Sequence, residues 1–143
     1  MIALLAVSSV SVADNCSITV NSTDQMRFDT KEISVSSACK DYTVKLVHTG
    51  KLPKQVMGHN WVLSKDADAR AVASDGAGSG PANEYLKPGD TRVIAYTKVI
   101  GGGESTSVTF PVSKLSVGEK YTFFCSFPGH IGMMVGSLKL VNP

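Results

Sequence analysis

The sequence predicts an all-β sandwich or Greek-key barrel interrupted by one short helix. Three observations carry that reading. Short runs of β-branched and aromatic residues alternate in polarity along most of the chain. Clusters of Gly, Pro, Asn and Asp separate those runs. No βαβ rhythm and no internal repeat is visible, which argues against a parallel α/β sheet.

Taken in order, the runs are Cys16–Val20, Glu32–Ser36, Tyr42–His48, Arg92–Ile100, Ser105–Phe110, Lys120–Cys125 and Gly136–Val141. Leu86–Asp90, Gly101–Gly103, Val117–Gly118 and Pro128–Gly129 supply turns between them. Seven or eight such strands suit a sandwich or barrel. One segment breaks the pattern. Ser64–Ser74 is rich in Ala, with Ser64 placed as an N-cap and acids in the first turn, so it predicts a short helix. The Gly-rich stretch Asp75–Gly80 follows. It lacks the Lys-Ser/Thr of a phosphate loop and is read as a flexible connection.

The first thirteen residues are uncharged, with a short apolar run ending in Ser11-Val12-Ala13. This pattern predicts a secretory signal peptide without its basic n-region, its true start lying upstream, and a mature domain over residues 14–143. The competing reading is an N-terminal strand. The segment is too short for a membrane span, and no other apolar run approaches spanning length, so a soluble exported protein is expected. The 143 residues suit one domain, 43% hydrophobic and 18% charged. Fourteen Lys and Arg against twelve Asp and Glu leave a net charge of +2, with no basic or acidic run. That balance argues against nucleic acid or an anionic membrane as the main partner.

Three cysteines are an odd number for an exported chain, so two should pair and one should remain. Cys16 and Cys39 have no histidine nearby, whereas Cys125 lies five residues before His130. A Cys16–Cys39 disulfide is expected. It would close a loop of about 24 residues and contribute about 3 kcal/mol in the chain-entropy account.

The chemistry concentrates in Cys125-Ser-Phe-Pro-Gly-His130-Ile-Gly-Met-Met134 and, far upstream, Met57-Gly58-His59-Asn60-Trp61. Two imidazoles, one thiolate and one thioether form the donor set of a mononuclear blue-copper site, with Met as the weak axial ligand. Cys125 ends a predicted strand, and Pro128-Gly129 can turn the chain so that His130 folds back toward it. One loop can thus supply Cys125, His130 and Met134, while His59 comes from a distant strand. The Gly58 carbonyl can approach from the side opposite Met134, because no Cβ blocks it. His48 lies in mid-strand and is expected to be a non-ligand that could bias the potential through its own protonation.

Those motifs resemble the azurins, blue-copper proteins of the cupredoxin superfamily. The likeness runs through Asp24–Met26, His48, Leu52–Lys54, Val56–Leu63, Tyr85–Pro88, Ser107–Phe110 and Phe123–Met134, and covers essentially residues 14–141. The Cys-x₄-His spacing separates it from plastocyanin-like relatives with a shorter loop. The resemblance implies an eight-stranded Greek-key sandwich with a helical insertion, and one copper ion held by Gly58 O, His59, Cys125, His130 and Met134. It implies that Asn60 and the Phe127 N–H support the Cys125 sulfur and that Trp61 is core. It agrees with the N-terminal disulfide. It also implies a periplasmic monomer passing single electrons between c-type cytochromes and redox enzymes such as nitrite reductases. Met26, Leu52, Val56, Met57, Phe127, Pro128, Gly129 and Met133 are the expected apolar docking patch. Three departures stand out: Thr49 where azurins often carry Pro, Ala77 where the docking face often has a larger apolar residue, and a short extension through Pro143.

Two other classes compete. A Cys125–His130 thiol hydrolase would need an orienting third group and an oxyanion site, and would leave His59 and Met134 without a role. A copper nitrite reductase would need a second cupredoxin domain, which this length does not hold. A copper carrier that hands metal on would favour exposed Met- and His-rich motifs, whereas Phe123, Phe124 and Phe127 enclose this one. An electron carrier without enzymatic activity is the expectation.

Overall fold

A computed structural model describes residues 15–143. The predicted signal peptide lies outside those residues. Eight strands form two sheets: β1 (Ser17–Ser22), β2 (Glu32–Ser36), β3 (Asp41–His48), β4 (Val62–Lys65), β5 (Val93–Tyr96), β6 (Ser105–Pro111), β7 (Tyr121–Phe124) and β8 (Val135–Val141). One sheet has the order β1-β3-β6 and the other β2-β8-β7-β4-β5. The pairs β1/β3 and β2/β8 are parallel, and the remaining pairs are antiparallel.

Alternation explains the register. In β3 the inward set Tyr42, Val44, Leu46 and His48 is buried, while its neighbours face outward or sit at the margin. β7 is different: Tyr121, Thr122, Phe123 and Phe124 are all buried, because the helical insertion covers the outer face of that sheet. Trp61 lies at the centre of the sandwich, stacked on Phe110 at 6.3 Å and Phe123 at 5.8 Å between ring centroids. It is fully buried, as expected for the core. The disulfide joins Cys16, just before β1, to Cys39, in the turn between β2 and β3.

The helical insertion differs in detail from the sequence reading. Ser64 is a strand residue: β4 pairs with β5 on one side and β7 on the other, and Ser64 is buried opposite Thr122. Val62-Leu-Ser-Lys65 is too short to show alternation, and both its faces are covered, so the period-2 signal is missing. A 3₁₀ turn over Asp66–Asp68 follows, and α2 itself spans Ala69–Ala77. Asp75 and Gly76 therefore belong to the helix and not to a flexible tail. Gly76 is there because α2 presses on the Tyr85 carbonyl, where a Cβ would collide. The predicted strand Arg92–Ile100 is regular only as β5; beyond Tyr96 it departs from the sheet and rejoins as a bridge between Ile100 and His59.

A single helical turn, α1 (Lys54–Met57), leads into Gly58 and His59. Thr49 anchors the preceding loop: its N–H and its hydroxyl both donate to the Ser22 carbonyl, at 2.8 and 3.0 Å. A proline there could not make the first of these bonds.

Candidate metal centre

The ends of three chain segments meet at one pole of the sandwich. β7 stops at Phe124, and Cys125 is the next residue. The Ser126–Gly129 loop then turns through Gly129, at φ +81°, into a 3₁₀ turn at His130–Gly132. The Cys125 N–H donates to the Met134 carbonyl at 3.1 Å, and the Met134 N–H to the His130 carbonyl at 2.8 Å, so this loop closes on itself. His59 arrives from the other half of the chain and is held by paired backbone bonds to Ile100.

The result is a buried cluster. One donor atom from each of His59, Cys125 and His130 lies within 4.8 Å of the others. Cys125 Sγ sits 3.6 Å from His130 Nδ1 and 3.9 Å from the Gly58 carbonyl oxygen. Met134 is fully buried, with its backbone bonded to Cys125 as described. Gly58 is required by space: a Cβ would fall 2.5 Å from the Lys54 carbonyl oxygen and 2.7 Å from Val99 Cγ1.

The two imidazoles are held in the neutral form that can take a cation. His59 Nε2 lies 2.7 Å from the Thr23 carbonyl, to which it donates, leaving Nδ1 as an acceptor. That Nδ1 is buried and has no protein partner. Burial lowers the pKa of His59 and His130 to about 4, with their mutual repulsion adding to the effect at His130. Both rings are neutral at pH 7. Burial pushes the Cys125 thiol up to about 12, partly opposed by the N–H groups of Asn60 and Phe127. A wholly enclosed, protonated thiol is a poor nucleophile, which argues against the hydrolase reading. A bound cation would ionise it. An orphaned buried nitrogen beside a thiol and a second imidazole fits copper's preference for soft and imidazole donors.

Asn60 ties the two donor-bearing segments together. Its N–H donates to Cys125 Sγ at 3.5 Å, its Oδ1 accepts from the Ser126 N–H at 2.7 Å, and its Nδ2 donates to Ser126 Oγ at 2.8 Å. His48 stands behind His59 and contributes no atom to the cluster. Of the expected docking residues, Leu52, Val56 and Met133 are exposed large hydrophobics, Pro128 and Gly129 are exposed, and Met26, Met57 and Phe127 are half-buried. Ala77 lines a surface pocket together with Phe127, Pro128, Gly129 and Arg70. Thr23 and Ser126 were not foreseen. Thr23 acts through a carbonyl that every residue carries, and Ser126 through its N–H and one hydroxyl, which no local spacing in the sequence sets apart.

Fold and cluster together define a metal-binding β-sandwich of the cupredoxin kind. The family of copper-binding proteins described as plastocyanin/azurin matches residues 14–141. The chain is 60% identical to an azurin of Bordetella pertussis over 99% of its own length and 95% of that protein's. It is 62% identical to an azurin of Pseudomonas chlororaphis over 87% of this chain and 98% of the relative. A solved azurin (Az-iso2) from the methylotroph Methylomonas sp. strain J superposes with a TM-score of 0.86 at 55% identity, over 88% of this chain and 98% of that one. The chain belongs to the plastocyanin/azurin family of copper-binding proteins and, within it, to the azurins. It is a blue-copper electron-transfer protein with copper as its cofactor, in a family of electron carriers rather than classical enzymes.

Proposed function

We propose that the protein is an exported periplasmic shuttle that carries single electrons between redox partners, with Gly58 O, His59, Cys125, His130 and Met134 holding one copper ion. When bound, copper supplies a Cu(I)/Cu(II) couple, and the soft thiolate and thioether suit the first state while the imidazoles suit both. The observation that carries this reading is the lone, buried Nδ1 of His59 in a cluster with Cys125 and His130. Because backbone bonds already hold these side chains in place, little rearrangement need accompany a change of charge.

The chain's own residues suggest how partners reach the site. Of the two histidines, only His130 lies in a loop with exposed neighbours, namely Pro128, Gly129, Gly132 and Met133. His59 is flanked by buried Gly58 and Asn60. The apolar patch of Met26, Leu52, Val56, Met57, Phe127, Pro128, Gly129 and Met133 is the docking face of this reading. It suits small, short-lived contacts, which are typical of electron transfer. The resemblance points to c-type cytochromes and nitrite reductases as partners. Asn60 and the Phe127 N–H tune the sulfur. Residues 1–13 serve as an export signal and residues 14–143 as a single domain. No helix among the described residues is long and apolar enough to cross a membrane. The enclosed site counts against a carrier that hands metal on.

The test is to add Cu(II) to the disulfide-bonded protein and record visible and EPR spectra. An intense blue band with narrow copper hyperfine splitting is expected. A pale, ordinary Cu(II) spectrum would remove Cys125 from the ligand set and the reading with it. For export, the intact mass of protein recovered from the periplasm should correspond to a chain beginning near Asp14; recovery of the uncleaved chain from the cytoplasm would contradict it.

A further inference from the structure

We propose that Glu84 is a positioning residue for the metal centre, acting as a strut that fixes the backbone register around His59 and Asn60. The proposal rests on the electron-transfer reading above for its redox consequence. Its structural part stands independently.

The starting observation is a pair of left-handed residues. Glu84 has φ +56° and Tyr85 φ +51°. Consecutive non-glycine residues in this region are uncommon, and such conformations persist only where the surroundings over-determine them. The surroundings here are specific. The Glu84 N–H donates to the Pro81 carbonyl and the Tyr85 N–H to the Gly80 carbonyl. Gly76 of α2 packs directly on the Tyr85 carbonyl. The Glu84 carbonyl accepts from Asn60 Nδ2 at 3.2 Å. The Glu84 carboxylate accepts from the Val99 N–H.

That last bond has a topological cause. His59 exchanges backbone bonds with Ile100, and Trp61 accepts at its carbonyl from the Thr97 N–H while its own N–H donates to Thr97 Oγ1. One residue, Asn60, therefore stands opposite two, Lys98 and Val99, which is a bulge. A bulge leaves a backbone N–H without a ladder partner, and Val99 is buried. A buried N–H without an acceptor is costly, so the ladder would tend to slip or open there. Glu84 supplies the acceptor. The same residue holds the Asn60 amide from its carbonyl, and the Asn60 N–H faces Cys125 Sγ. Tyr85 extends the support to the other ligand loop: its ring lies edge-on to Phe127 at 5.1 Å, and Phe127 lies 4.5 Å from His130. One corner of the chain, outside the ligand set, thus braces the segments carrying His59, Cys125 and His130.

The experiment compares wild type with Glu84→Gly and Glu84→Gln. Glycine accepts the left-handed backbone without strain and deletes the carboxylate. Glutamine keeps an oxygen that can accept from Val99 but removes the charge. In the metal-free protein, amide exchange at Val99 and Ile100 should become about ten-fold faster in Glu84→Gly, the size of one net hydrogen bond, and stay near wild type in Glu84→Gln. In the copper-loaded protein, Glu84→Gly should remain blue but show altered hyperfine splitting and a lower potential, because the N–H bond to the sulfur slackens; Glu84→Gln should match wild type. Unchanged exchange and potential in Glu84→Gly would overturn the proposal. So would a Glu84→Gln protein that shifts as Glu84→Gly does, since charge and not positioning would then be the cause. If Glu84→Gly does not accumulate as folded protein, Glu84→Asn, also at home in the left-handed region but too short to reach Val99, gives the same readings. A wild-type protein that fails to turn blue would sink the electron-transfer reading alone, and Val99 exchange would still decide the strut.

Discussion

His48 is stacked on His59, ring centroids 4.4 Å apart and planes inclined by 22°, yet it is no part of the metal cluster. Both its nitrogens are committed to the backbone. Nδ1 accepts from the Gly50 N–H at 3.1 Å, and Nε2 therefore donates to the Met57 carbonyl at 2.8 Å. The ring clamps α1 to the loop after β3 and forms the back wall behind His59. Replacing it with alanine removes a wholly buried ring and two bonds. His48→Ala should lower the stability of the metal-free protein by about 2–4 kcal/mol in urea titration. The blue band should survive, because no ligand is lost. Loss of the band would put His48 inside the ligand set.

Gly58→Ala tests whether space or backbone freedom keeps glycine beside the site. Gly58 has φ −67°, which any residue adopts, so only contact is at stake. The new Cβ would meet the Lys54 carbonyl at 2.5 Å, Val99 Cγ1 at 2.7 Å and Phe127 Cδ2 at 2.9 Å. Forced overpacking of this kind costs about 1–3 kcal/mol. The EPR spectrum should change too, since the displaced groups border the cluster. Gly129→Ala is the contrast: nothing lies within 4 Å of its Cβ, but φ is +81°, so stability should fall through conformation. A Gly58→Ala protein with native stability and spectrum would refute the contact argument.

The ligand roles separate by type of change. Cys125→Ser should abolish the intense blue colour, which needs a thiolate on copper. Under the proposed ligand set, Met134→Leu should stay blue with a raised potential, because a weakly held thioether would tune the site rather than build it. Visible spectra and voltammetry decide both. A blue Cys125→Ser protein, or a colourless Met134→Leu one, would break the assignment.

Why was the site more legible than the fold around it? Ligands must be particular residue types, so Cys125, His130 and His59 announce themselves by chemistry and spacing. The two sheets were legible where one face is dry and the other wet, as in β3. β4 was not, because Val62, Leu63 and Ser64 are buried on both faces and the Ala-rich sequence that follows resembles a helix start. The bulge at Lys98–Val99 was hidden for a related reason: Arg92–Ile100 reads as one continuous strand, and nothing local marks where pairing shifts. Asn60 is legible as a support for the sulfur only through family likeness; the structure adds that its side chain is shared between Ser126 and the Glu84 carbonyl.

The disulfide should matter to stability and not to colour. Cys16 and Cys39 are 23 positions apart and precede β1 and β3, at the opposite end of that strand pair from Ser22 and His48, the residue stacked on His59. The paired substitution Cys16→Ala with Cys39→Ala should lower the unfolding free energy by about 3 kcal/mol, measured as a reduced denaturation midpoint. The blue band of the folded variant should match wild type. A bleached or shifted band at native stability would mean that the N-terminal staple shapes the metal centre directly.

Acid should weaken the metal-free protein through the same histidines that await the metal. In the folded state His59 and His130 have pKa values of about 4, set by burial. In the unfolded chain they return to about 6.5. Between those values the unfolded state binds the extra protons, so stability rises with pH and falls on acidification. Each histidine adds a slope of about 1.4 kcal/mol per pH unit across that window, and the contribution is flat above about pH 7. Copper should flatten the slope, because ligation holds both rings deprotonated. Urea titrations of the metal-free and copper-loaded protein at several pH values from 4.5 to 7.5 would read this directly. A metal-free protein equally stable across the window would mean that the two rings are not the buried, neutral pair described here.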